Sequence, residues 1–127
     1  MHSWIQRSKD TLKNIIDHVK ATNKGLTVEV AFVAYRDIGD HGRHVVADFT
    51  SDIDSVKRLI EKQSATGGGD MPEDVQGGYN KALGLSWGTG SVKQVFHIAD
   101  APGHGKDICD WGDDYPKGSP DGFKIQD

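Results

Sequence analysis

The sequence predicts an α/β domain with a largely parallel sheet held between helices, and three observations predict it. Apolar residues recur at helical spacing over residues 3 to 22, at Ile5, Leu12, Ile15, Ile16 and Val19. Thr27 to Tyr35 and Val92 to Ala99 are almost wholly apolar, as strands covered on both faces are. The elements run helix, strand, strand, helix, helix, strand, and strands alternating with helices imply a parallel sheet.

Each element carries its own signals. Ser3 with Gln6 fits a capping box for the first helix, and Asn23-Lys24-Gly25 supplies its stop, since glycine accepts the left-handed conformation at a helix end. The polar loop Asp37 to Arg43 leads to a second β-run, Val45 to Thr50, and suits a hairpin with antiparallel pairing. Ser51 and Asp52 offer caps to a helix carrying Ile53, Val56, Leu59 and Ile60. Gly67-Gly68-Gly69 allows a tight backbone path, and Asp70, Pro72 and Glu73 announce a third helix. That helix presents Val75, Tyr79, Ala82 and Leu83 on one face and ends near Trp87-Gly88. From Asp100 onward the chain is rich in Gly, Pro and Asp without periodicity; it reads as loop, with poor order expected over 110–127.

Bulk composition narrows the function classes. A length of 127 residues gives room for one domain. A net charge of -4 offers no electrostatic reason for nucleic acid or an anionic membrane as partner. The single cysteine, Cys109, rules out an intramolecular disulfide framework and, with no secretory signal at the N-terminus, points to a cytoplasmic setting, although extracellular domains without disulfides also exist.

Two segments carry a family resemblance. One is Ala65-Thr66-Gly67-Gly68-Gly69-Asp70 with the Pro72-Glu73-Asp74-Val75 that follows; the other is Val95-Phe96-His97-Ile98-Ala99-Asp100-Ala101-Pro102-Gly103-His104-Gly105. Together with Tyr35-Arg36-Asp37 they resemble the von Willebrand factor A family, in the form found in some alpha-kinases and related intracellular proteins. The resemblance implies a Rossmann-like fold over residues 1–109, followed by the loop segment 110–127. The chain would lack the opening central strand, which in the family lies between 27–35 and 92–99, and the C-terminal strands. Exposed strand edges would then favour self-association.

The family's metal-ion-dependent adhesion site takes ligands from three loops. By position, Thr66 matches the threonine ligand and Asp100 the aspartate that ends a strand, with Asp37, Asp70 and Glu73 bordering that face. The Asp-x-Ser/Thr-x-Ser motif that supplies the remaining ligands is expected immediately before Met1. Mg2+ requires about six hard oxygen ligands, and Mn2+ or Ca2+ are its alternatives in intact relatives. One hydroxyl and one carboxylate make a weak cage, so magnesium affinity no tighter than millimolar is expected for this chain. The implied function is protein binding, with an acidic side chain of the partner completing the ion's shell. The alternative is a regulatory fragment of an alpha-kinase-like serine/threonine kinase whose catalytic domain lies elsewhere.

Other residues of chemical interest have plainer readings. His97, His104 and Cys109, near Asp107 and Asp110, have the residue types of a zinc site but none of its compact spacings. His41 and His44 are expected to face solvent from the hairpin loop. Asp110, Asp113, Asp114 and Asp121 lack the ordered spacing of a calcium loop and read as solvated. The glycine run lacks the Lys-Ser/Thr ending of a phosphate-binding loop. Cys109 has no basic residue nearer than Lys106, and no nucleophile–base pattern stands out, so catalysis by this chain is not expected.

Overall fold

The computed structural model describes residues 2–66, 70–110 and 112–124. Helix α1 spans His2–Thr22, strands β1 and β2 span Val30–Tyr35 and His44–Thr50, and helices α2 and α3 span Ile53–Glu61 and Val75–Leu83. The strands pair as a two-stranded antiparallel hairpin, as the short polar loop predicts. Among the described residues no helix is long and apolar enough to cross a membrane.

The chain divides into two compact units, residues 1–32 with 47–65 and residues 33–46 with 66–127. In the first unit, Ile16 of α1 meets Ile53, Val56 and Ile60 of α2, with Leu12, Val28, Val30 and Phe32 packed around them. The apolar stripe read from the sequence is therefore the buried one. At full burial each such side chain contributes about 1.5–3 kcal/mol. Asp52 caps α2 by accepting from the Ser55 amide at 3.2 Å. Gly25 closes α1 at φ +89°, the conformation the stop signal calls for. The side chain of Ser3, and with it the capping box, lies outside the described residues, as does Gly67–Gly69.

The second unit departs from expectation in two ways. Residues 92–99 form no strand: Val92 is 91% exposed and Val95 61%. An apolar β-rich run becomes a strand only when a neighbour supplies backbone hydrogen bonds, and none pairs with it among the described residues. The largely parallel sheet is accordingly not formed there; the parallel pairing seen is one bridge, Glu73 to Gly103. Helix α3 ends at Leu83 with Gly84 as cap, short of Trp87. Its buried residues are Val75, Gln76, Gly77 and Gly78, while Tyr79 and Leu83 of the expected face are exposed. The small face packs closely, since a Cβ on Gly78 would stand 2.6 Å from the Tyr35 ring.

Candidate metal centre

Three loop segments of the second unit are clamped by their backbones. The Asp74 amide donates to the Arg36 carbonyl at 3.3 Å, and the Glu73 amide to the Pro102 carbonyl at 2.9 Å. Gln76 Nε2 donates to the His104 carbonyl at 2.6 Å. Gly105, at φ +120°, turns the chain so that its amide meets Asp113 Oδ2 at 2.7 Å. These ties bring the loop after β1, the approach to α3 and the segment 102–115 to one place.

At that place His104 is fully buried between carboxylates. Its Nε2 lies 2.7 Å from Asp37 Oδ1 and its Nδ1 2.7 Å from Asp113 Oδ1, with Asp70 Oδ2 at 3.7 Å from Nδ1. The Tyr115 ring meets the imidazole edge-on at a centroid distance of 5.0 Å. Asp37, Asp70 and His104 offer ligand atoms within 4.8 Å of one another, a group that could hold a metal ion. Asp70 Oδ2 accepts from the Asp114 amide at 2.6 Å, but Oδ1 of the same carboxylate is buried with no hydrogen-bond partner.

The charges at this centre are unequal. Burial alone would lower the His104 pKa, but hydrogen bonds to Asp113 and Asp37 outweigh it and hold the imidazole above its ordinary value. For Asp113, burial is outweighed by His104 and by the amides of Gly105 and Tyr115, which keep the carboxyl below its usual range. Asp37 moves the other way: burial and its contact with Asp70 raise it despite His104. The two carboxylates on one imidazole thus differ in direction. The physical account is that Asp113 carries the charge paired with the imidazolium, while Asp37 and Asp70 crowd each other.

Glu73 borders the group. Its carboxyl is pushed up to about 7, first by burial and then by Asp37, Asp40 and Asp100, with His104 opposing. A value raised above the ordinary 4.5 means that the folded protein holds this proton more tightly than the unfolded chain. The stabilising contribution is complete below about pH 4.5 and is lost as pH rises through 7. Unfolding free energy is expected to fall between about pH 5 and pH 8 by up to ~2 kcal/mol after allowance for solvent screening. His104, also raised, has the same sign. Glu73→Gln should therefore flatten the slope of denaturation midpoint against pH without abolishing it; an unaltered slope would refute the assignment.

The sequence-derived candidates are placed as follows. Asp37 and Asp70, read as rim, stand inside the metal-competent group, and Glu73 is at its border. Asp100 is exposed and does not join the group, though its charge reaches Glu73 and Tyr35. Thr66 Oγ1 accepts from Arg36 Nε at 3.1 Å, which sets a guanidinium against the hydroxyl that the resemblance assigns to a cation.

The histidines separate. His97 has Tyr35 Oη at 2.8 Å from Nε2 and Tyr79 Oη at 3.2 Å from Nδ1, and it is not a member of the His104 group. His44 does not face solvent as expected; it lies 2.7 Å from Asp74 Oδ2, because that buried carboxylate draws in donors. Nor are Asp113 and Asp121 merely solvated: Asp113 holds His104 and two amides, and Asp121 pairs with Arg43 at 2.5 Å. Sequence reasoning missed Asp113 as a partner of His104. The residue types within Gly103-His104-Gly105 and the following acidic loop were its available signal.

Comparison with known proteins gives one relation. No known family profile matches the chain, and no solved structure does. Over 128 aligned residues the chain is 32% identical to a protein described as alpha-protein kinase vwkA of Dictyostelium discoideum. The alignment covers the whole of this chain and 20% of that protein, so the chain spans about a fifth of the length of the curated relative it matches.

Proposed function

We propose that this chain is a non-catalytic, cation-dependent protein-binding module of the von Willebrand factor A type, serving as a regulatory part of an alpha-kinase-type protein. The observation that carries cation dependence is the unpartnered, buried Oδ1 of Asp70 inside the Asp37–Asp70–His104 group. A buried carboxylate oxygen without a donor costs about 1–3 kcal/mol or more, and a bound cation is the partner that removes the cost. The 32% identity to an alpha-protein kinase supports the setting, a kinase whose catalytic domain lies outside these residues.

On this reading the ion acts by fixing loops. It ties the segment after β1 to the approach to α3 and to the segment 102–115, and so firms the acidic border formed by Glu73, Asp40 and Asp100. A protein partner docks on that border.

Calorimetric titration with divalent ions tests the reading. A saturable one-to-one site is expected, lost at least tenfold in affinity on Asp70→Asn. At an ion concentration one hundred times Kd the fold should gain about 2.7 kcal/mol. Magnesium should bind no tighter than millimolar. Absence of any divalent binding tighter than millimolar, with stability unchanged by chelator, would overturn the proposal.

A further inference from the structure

Building on the cation-dependent reading above, we infer that the Asp37–Asp70–His104 centre selects a borderline transition ion of the zinc class over magnesium or calcium, with Asp113 as the residue that orients its histidine ligand.

The donor set argues for the class. An imidazole nitrogen with carboxylate oxygens suits zinc and its first-row neighbours, whereas magnesium and calcium take all-oxygen shells. Tetrahedral zinc binds such ligands at about 2.0–2.2 Å, which puts neighbouring ligand atoms roughly 3.3 Å apart. Asp37 Oδ1 and His104 Nε2 stand 2.7 Å apart, and the three ligand atoms lie within 4.8 Å. An ion at Nε2 therefore opens the Asp37–His104 edge by about 0.6 Å and draws in Asp70, whose Oδ2 stands 3.7 Å from Nδ1, through its unpartnered Oδ1. Burial reinforces the choice, because the His104 side chain is 0% exposed and that of Asp70 5%. Magnesium keeps several waters and dehydrates reluctantly, which a site this enclosed disfavours.

The second observation is the orientation of the imidazole. Metal-bound histidines commonly donate the other ring N–H to a carboxylate, which fixes the tautomer and the ring plane. His104 has that arrangement: Nδ1 lies 2.7 Å from Asp113 Oδ1, leaving Nε2 directed at the Asp37 side, where a bound ion would displace the Nε2 proton to solvent. Asp113 is itself fixed by the amides of Gly105 and Tyr115, both at 2.7 Å, and the Tyr115 ring closes one side of the imidazole. Asp113 is therefore a positioning residue and not a ligand.

Zinc, magnesium and calcium are titrated separately into the full chain, with cobalt as a spectroscopic substitute for zinc. Zinc is expected to bind at one-to-one stoichiometry at least one hundredfold tighter than magnesium. Cobalt should give the visible absorption of a site with a nitrogen ligand. Asp113→Asn should weaken zinc about 10- to 100-fold and leave magnesium affinity unchanged, an asymmetry that a merely structural role would not produce. His97→Gln, away from the centre, should retain the site, which separates it from surface histidine binding. Magnesium or calcium bound as tightly as zinc, or zinc binding indifferent to Asp113→Asn, would overturn this inference while leaving the cation-dependent module standing. No binding by any of the ions would overturn both. Should His104→Gln fail to fold, Asp113→Asn and the cobalt spectrum still decide the matter.

Discussion

Replacing His104 with alanine is expected to destabilise the protein by about 3–5 kcal/mol, a large fraction of what a domain of this size possesses. The imidazole is fully buried, and two carboxylate oxygens sit 2.7 Å from its nitrogens. Removing it opens a cavity and leaves Asp37, Asp70 and Asp113 crowded in one place without the cation that the folded protein puts among them. The charge effect should exceed the cavity effect, and pH tells them apart. A cavity penalty is nearly constant with pH, whereas uncompensated carboxylates can be protonated. The deficit in unfolding free energy relative to wild type should therefore shrink as pH falls toward 4 and be largest near neutrality. Urea denaturation across that range is the measurement. A deficit below about 1 kcal/mol at neutral pH would mean that His104 merely fills space.

The residues of this centre were legible singly and not as a group. Asp37 and Asp70 stand out because they close strand and loop motifs, and His104 because it lies in the second family segment and has the residue type of a zinc ligand. Nothing periodic connects them, since the His104–Asp37 contact spans 67 residues and the His104–Asp113 contact joins a turn to an acidic loop. Hydrophobic periodicity reports which face of an element is apolar, and so it identified Ile16, Val56 and Ile60 correctly. It cannot report whether a neighbour exists. That is why 92–99 reads as a strand but lies exposed, and why the face of α3 bearing Tyr79 and Leu83 is not the one buried. Gly78 is buried in its place because a helix can approach Tyr35 closely only along a side without Cβ atoms, and Gly77 because a Cβ there would run into the Asp74 carboxylate.

Asp74→Ala should have the second large effect, about 3 kcal/mol of lost stability with a measurable consequence at the metal centre. Asp74 is 0% exposed, and one carboxylate oxygen meets both Arg43 Nε and His44 Nε2 at 2.7 Å. The other accepts from the Gly77 amide at 3.1 Å and caps α3. Loss of a helix cap costs about 1 kcal/mol, and breaking a buried ion pair about 3–5 kcal/mol. The sum is moderated because Arg43 keeps Asp121 as a partner at 2.5 Å. Asp74→Asn retains a cap oxygen but sets an NH2 donor against Arg43 and His44 in place of the acceptor, so its deficit should fall short of alanine's only by the cap, about 1 kcal/mol. The Asp74 side chain also fastens the start of α3 to Arg43 and His44, four residues along the chain from Asp70 and next to Glu73. Both variants should accordingly weaken divalent-ion binding without touching a ligand, alanine more than asparagine. Equal stability of the two variants would leave the ion pair as the whole effect and the cap as nothing, whereas a wild-type ion affinity in Asp74→Ala would show that α3 does not position the centre.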